Sequence, residues 1–290
     1  MNGLCIPGVP IIGNVSSGGS GGADLSDIDA TTEITDSRLL FECLSPRAYY
    51  AADGTIQFAA PNTWPLEYKD GVAIGRHEPE PMATNLKIGS RAPTATLYQL
   101  TKTSNTALSP AGIDELIEFA TAYTSGTPTL FSDVTLSESG PLTVSVIGRN
   151  GTAEMTVRKE GTTDSVGFTS DFGRSVLISN YDATATRNRY SIYFPRTVGD
   201  VAYIWHIQLE AGEIATSPII TTDSAATRAA GLAFVPNPGL LATAARIYYT
   251  DGTTYDIEFN GAARGAIPQA SKHWGTRYIE GVSYAKGFSR

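Results

Sequence analysis

The sequence predicts an all-β protein: an antiparallel β-sandwich or jelly roll with a flexible N-terminal arm and a small C-terminal β-hairpin unit. Three observations lead there. Glycine is abundant, at 29 of 290 residues, and Thr, Ser and Tyr are frequent, which favours strands and tight turns. Short apolar stretches with period-2 alternation recur from Leu142 onward, with turn signals every 8–12 residues or so. That rhythm belongs to a sandwich rather than a parallel α/β sheet.

Taken from the N-terminus, residues 1–37 read as the flexible arm. Val15–Gly22 is a Gly/Ser linker, and five acidic residues (Asp24, Asp27, Asp29, Glu33, Asp36) face no Lys or Arg before Arg38. The apolar stretch Ile6–Ile12 is the expected docking piece on a partner. Residues 38–90 follow as a hairpin-bearing connector. In it Tyr49-Tyr50 and Ile56-Gln57-Phe58 flank a turn with Asp53-Gly54 at its tip. Residues 91–235 hold the sandwich strands: Leu142–Ile147, Met155–Val157, Val176–Ile178, Tyr190–Phe194 and Val201–Leu209.

One segment stays open between helix and strand. Over 109–124, Ser109-Pro110 followed by Ile113, Leu116, Ile117 and Ala120 has helical spacing, whereas the family resemblance given below implies a strand there carrying Leu116 and Phe119. Residues 236–290 form the terminal unit, with a second Asp-Gly hairpin between Arg246–Tyr249 and Tyr255–Phe259. This stretch is mildly basic, with six basic against four acidic residues over 246–290.

Composition narrows the function. A net charge of −8 argues against a nucleic-acid partner, which needs a basic footprint. No apolar run approaches the ~20 residues of a membrane span. The first residues lack the basic start of a secretory signal, so folding in a cytoplasm is expected. Cys5 and Cys43 have no spacing partners for a metal site. His77, His206 and His273 lie far apart and make no ligand pattern. No cofactor fingerprint or nucleophile elbow is present. Glu210 and Glu213 are the best-placed carboxylates for glycosidase chemistry, but any acid-rich β protein offers such a pair. A non-enzymatic protein without cofactor or metal is expected.

Two aromatic groups separate by context. Alternation in Val201–Glu210 puts Tyr203, Trp205, Ile207 and Leu209 on one apolar face, expected to be core. Trp64 and Trp274 sit beside Pro65 and Gly275 in turn-rich surroundings. With Tyr278 and Tyr284 they are the expected exposed, ligand-stacking residues.

The segment Ile204–Thr222, with Trp205-His206-Ile207-Gln208-Leu209-Glu210-Ala211-Gly212 and Ala215-Thr216-Ser217-Pro218-Ile219, resembles the closing motif of phage tail-fibre and virion structural proteins. Thr227-Arg228-Ala229-Ala230 matches that family's closing Thr-Arg-Ala-Ala. Arg47–Gln57 resembles its opening, and Thr84-Asn85-Leu86 its hinge. Glu80-Pro81-Met82-Ala83 departs from the family's basic approach to that hinge, so no arginine role is carried over. The resemblance spans about residues 45–235. It implies a carbohydrate-binding-module-like sandwich in a virion, with localisation to the particle.

On these grounds the chain reads as a tail-fibre or spike component. Its arm would join other virion proteins, its aromatic residues a host-surface glycan, and its copies a homo-oligomer, a trimer. A tail adaptor or capsid decoration protein, and an accessory sugar module of a polysaccharide-degrading enzyme, are the alternatives. For Glu210 the local physics points to a structural role, in which it accepts backbone N–H bonds where the chain leaves the Trp205 strand.

Overall fold

The computed structural model describes residues 24–91, 96–104, 116–122, 126–152 and 154–286. The first part of the expected arm, with Cys5, Ile6–Ile12 and the Gly/Ser linker, therefore lies outside the described residues. So do residues 109–115 and 123–124 of the segment left open between helix and strand.

Strands carry the fold, and no α-helix is found among the described residues. In chain order they begin with β1 (Ile28–Asp29), β2 (Leu40–Glu42), β3 (Arg47–Tyr50), β4 (Ile56–Ala59), β5 (Glu67–Lys69), β6 (Val72–His77) and β7 (Ala83–Asn85). The middle of the chain gives β8 (Thr96–Tyr98), β9 (Leu100–Ser104), β10 (Ile117–Thr121), β11 (Thr129–Val134) and β12 (Gly140–Asn150). It continues with β13 (Thr156–Lys159), β14 (Ser165–Gly167), β15 (Gly173–Tyr181), β16 (Asn188–Tyr193) and β17 (Val201–Ala211). Last come β18 (Ala226–Arg228), β19 (Leu232–Pro236), β20 (Ala242–Tyr249), β21 (Thr254–Glu258), β22 (Arg264–Ile267) and β23 (Tyr278–Lys286). The described part of the open segment thus holds a strand, β10, and Leu116 and Phe119 are fully buried.

The middle strands make the antiparallel sandwich. One sheet runs β15-β12-β17-β10-β9 and the other β14-β13-β16-β11-β8. Ile117, Phe119, Leu130, Leu142, Val144, Val146, Val157, Ile192, Phe194, Ile204, Ile207 and Leu209 fill the space between them. Both Asp-Gly hairpins form: β3 pairs β4, and β20 pairs β21. Gly54 and Gly252 take φ of 80° and 78° at the tips, a backbone region that favours glycine.

The connector and the terminal unit are not separate pieces. β23 pairs β6, β19 pairs β2, β18 pairs β7, and the sheet β21-β20-β23-β6-β5 mixes strands from both ends of the chain. Residues 24–85 and 226–286 build one module, and the sandwich is an insertion within it. Its core holds Ile28, Leu39, Trp64, Val235, Ile247, Phe259, Ile279 and Val282. The expected arm does not extend to residue 37. Ile28 and Ala30 are buried and β1 pairs β23 through Ile28↔Val282, so residues 24–37 belong to this module. The apolar spacing of Leu25, Ile28 and Ala30 gives them something to bury, which the acidic count concealed.

The expected apolar face of the Trp205 strand is divided by a β-bulge. Pairing of β12 with β17 slips between Ile147↔His206 and Gly148↔Ile204, leaving Trp205 as the extra residue. Alternation therefore changes phase: Ala202 and Ile204, then Ile207 and Leu209, face the sandwich core. Tyr203 and Trp205 turn the other way, toward Ala48, Ile56, Ile147 and Trp274. Gly148 is required at the bulge, because a Cβ there would stand 2.3 Å from the Tyr203 carbonyl oxygen.

Candidate functional site: a buried fastening and an open sheet face

The residues that carry the family resemblance converge, but inside the protein. Glu80, from the β6–β7 link, is buried between two arginines, with Oε2 3.0 Å from both Arg47 Nη2 and Arg228 Nη1. Its oxygens also accept hydrogen bonds from the Ser217 backbone N–H (2.6 Å) and hydroxyl (2.7 Å). Asn85 Oδ1 accepts from the Leu209 N–H, and its amide donates to the Ile219 carbonyl. Gln208 Oε1 accepts from the Ile219 N–H at 2.7 Å. Glu210 accepts from the Thr216 N–H (3.1 Å) and hydroxyl (2.5 Å), the exit-turn role its position suggested. The segment after β17 is thereby fastened across the sheet, and the inserted sandwich is tied to the outer module.

Electrostatics accord with a structural role. Burial alone would raise the Glu80 carboxyl; the Arg228 and Arg47 guanidiniums overcome this and hold it below the ordinary carboxylate range. Burial pushes Glu67 up to about 8, against the weaker opposing pull of its bonds from the Tyr50 N–H and Trp274 Nε1. Burial lowers His77 to about 4 and His206 to about 3, so both are neutral near pH 7. Glu210 is inside and engaged, whereas Glu213 is exposed; the two make no open acid pair. No cluster of metal-ligand side chains occurs among the described residues.

The four residues expected to be exposed and ligand-stacking are all buried. Trp64 is 4% exposed, stacks on Phe41 and donates its indole N–H to the His77 carbonyl. Trp274 is 3% exposed and stacks on Tyr50 with centroids 4.5 Å apart. Tyr278 packs edge-on to His77, and Tyr284 stacks on Phe259. Pairing of the two chain ends supplies partners distant in sequence, so the turn-rich context misled. The core set Tyr203, Trp205, Ile207, Leu209 and Glu210 is buried throughout.

The accessible face is elsewhere. The β12 side of the sandwich is covered by the outer module: Thr143 and Ser145 are buried, and Arg174 bonds Ser145 Oγ while lying 5.7 Å over Trp274. The other sheet turns Val157, Leu130, Tyr190 and Ile192 inward; on its outer face Tyr98 and Arg158 are exposed, Phe131, Tyr193 and Thr156 are half-buried, and Thr129 and Ser191 are buried. Cross-strand register puts Tyr98, Thr129, Tyr193 and Thr156 in one row, and Phe131, Ser191 and Arg158 in the next. Tyr98 is half exposed. Arg158 lies 5.3 Å over Tyr193, and Arg189 lies 3.7 Å over Phe131 while bonding Asp133 through two nitrogens. An open basin of about 420 Å³ on this face is lined by Thr127, Glu154, Thr156, Arg158, Tyr193 and Arg196. Apolar ring faces beside hydroxyls and charged donors suit a ligand that is polar at its edges and apolar on its faces. The alternation Arg189-Ser191-Tyr193 against Tyr190-Ile192-Phe194 was the sequence signal that could have found it.

No protein-family profile matches the chain, and no curated protein matches it in sequence. Solved structures do resemble it in fold. A family 35 carbohydrate-binding module from Clostridium thermocellum aligns at 13% identity over 42% of this chain and 94% of its own, with a TM-score of 0.30. A carbohydrate-binding module from a Cellvibrio mixtus lichenase, solved with cellotriose, aligns at 13% identity over 45% of this chain and 98% of its own, TM-score 0.28. The enzymatically active domain of a bacteriophage CBA120 tailspike aligns at 14% identity over 44% of this chain but only 18% of its own, TM-score 0.29. Likeness at this level concerns the all-β sandwich alone.

Proposed function

We propose that this chain is a non-enzymatic structural protein of a bacteriophage particle, of tail-fibre or spike type, that binds a host-surface glycan on the open face of its sandwich. The observation that carries the binding reading is that face: Tyr98 and Tyr193 in one cross-strand row, two strand spacings or ~10 Å apart, among threonine hydroxyls and arginines. Two rings of a linear glycan fit such a row. The virion reading rests on the closing motif, from Trp205 to Ala230. The N-terminal residues are proposed to meet other virion proteins, and copies of the chain to assemble about an axis as a trimer. The aromatics of residues 236–290 give the trimer little support, because Tyr249, Phe259, Trp274, Tyr278 and Tyr284 are buried within one chain and only Tyr248 and Tyr255 are exposed.

Three experiments test the reading. Full-length protein on a glycan array should retain host-type glycans, and Tyr193→Ala should lose that retention without a change in Tm. Immunogold labelling of intact particles should place the chain at tail tips. An array with no glycan retained would refute the binding; label on the capsid would favour a decoration protein. Light scattering of the purified chain reads the assembly, and a single-chain mass would remove the trimer.

A further inference from the structure

The open face carries four arginines, and their partners divide them into two kinds. Arg189 is neutralised by Asp133, at 2.7 and 2.8 Å, and Arg187 by Glu160 at 3.0 Å. Arg158 and Arg196 form no ion pair among the described residues. Arg158 is exposed and lies over the Tyr193 ring; Arg196 is exposed and spends one N–H on Thr127 Oγ1 at 2.7 Å. Both line the same basin, with Glu154 exposed at its wall. The two guanidiniums thus share one concavity with a single lining carboxylate, Glu154, to which neither is ion-paired. Guanidinium edges match planar oxyanions through paired, charge-assisted hydrogen bonds. The contact with Tyr193 and the bond to Thr127 hold these groups in place before any ligand arrives, which lowers the ordering cost of binding.

Resting on the glycan reading above, we propose that the glycan is anionic: an acidic sugar whose oxyanion is taken by Arg158 and Arg196, with its ring against Tyr193. Thr127, Thr156 and Glu154 are then placed to bond the neutral hydroxyls. This is direct electrostatic recognition, so it weakens with salt.

The test uses the full-length chain and titration calorimetry with three probes of equal length: an oligogalacturonate, the matching neutral galactose oligosaccharide, and a sulfated galactose oligosaccharide. The acidic probes should bind at least about tenfold more tightly than the neutral one, since a charge-assisted bond supports a factor of roughly 10–100. Arg158→Gln and Arg196→Gln should each erase that preference. Arg187→Gln, outside the basin, should not. Preference for the sulfated over the uronate probe, with the same arginine dependence, supports the proposal and assigns the oxyanion as sulfate. Equal binding of the neutral probe, unaffected by the arginine variants but lost in Tyr193→Ala, overturns the anionic assignment and leaves glycan binding standing. No binding of any probe overturns both.

Discussion

Replacing Glu80 by Gln should be among the most damaging isosteric changes in the protein. The carboxylate is 1% exposed and sits 3.0 Å from each of two arginines that are themselves 3% exposed. The arginine ends are incompletely paired even so: Arg47 Nε and Nη1 and Arg228 Nε have no hydrogen-bond partner among the described residues. Removing one member of a buried ion pair costs roughly 3–5 kcal/mol, because the remaining charge is left uncompensated. Here two guanidiniums would face a neutral amide whose single acceptor oxygen cannot serve both them and the Ser217 N–H. Gln keeps one acceptor for Ser217, so only about 1 kcal/mol more is expected from that side. Set against a total stability of about 5–15 kcal/mol, a loss of about 4–6 kcal/mol should remove a quarter or more. Urea denaturation followed by tryptophan emission reads it, since Trp274 and Trp205 are buried in one cluster with Ala48, the neighbour of Arg47 in sequence. The combined variant Arg47→Met, Glu80→Gln, Arg228→Met should be less destabilised than Glu80→Gln alone, since none of the three charges of this cluster is left buried without its partners. A loss below about 1 kcal/mol for the single variant would refute this reasoning.

Other consequences follow from the same structure. Glu67 keeps its proton up to about pH 8 when folded but ionises near its ordinary 4.5 when unfolded. Stability should therefore fall as pH rises across that interval, by up to ~1.4 kcal/mol per unit, and be flat on either side with respect to this group. Glu67→Gln should flatten the profile; identical slopes in the two proteins would contradict the assignment. Trp205→Ala should cost roughly 3–5 kcal/mol as a large core truncation, and a Trp205-only variant should emit as buried indole. Deleting residues 1–37 removes β1 and the buried Ile28 and Ala30, so Tm should drop by several degrees. An unchanged melting curve would show that β1 is dispensable to the fold.

Much of this architecture was legible in local sequence. Asp53-Gly54 and Asp251-Gly252 between apolar stretches specified their hairpins, because the turn needs positive φ and each contact is short-range. Trp205 and Glu210 were assignable for the same reason: their neighbours along one strand set their surroundings. What failed was long-range. Trp274 finds Tyr50 and Glu67 across more than two hundred positions, and no local pattern announces that pairing. The insertion of the sandwich was hidden likewise, since β6 meets β23 only after the whole sandwich has intervened. The bulge at Trp205 defeated strict alternation, although Gly148 opposite it was a cue. The buried fastening had a visible trace as well. Thr, Ser, Gln and Glu clustered in Gln208–Thr222 are too polar for a plain edge and need acceptors and donors from elsewhere in the chain.

If a glycan binds as proposed, it meets the outer face of the second sandwich sheet. Hydrogen–deuterium exchange of the full chain, with and without a glycan retained on the array, reads that contact without any mutation. Added protection is expected in the peptides covering β11, β13 and β16, around Phe131, Arg158 and Tyr193, with the strands of the outer module unchanged. Protection confined to the terminal sheet around Tyr248 and Tyr255, or none on either sheet, would contradict it.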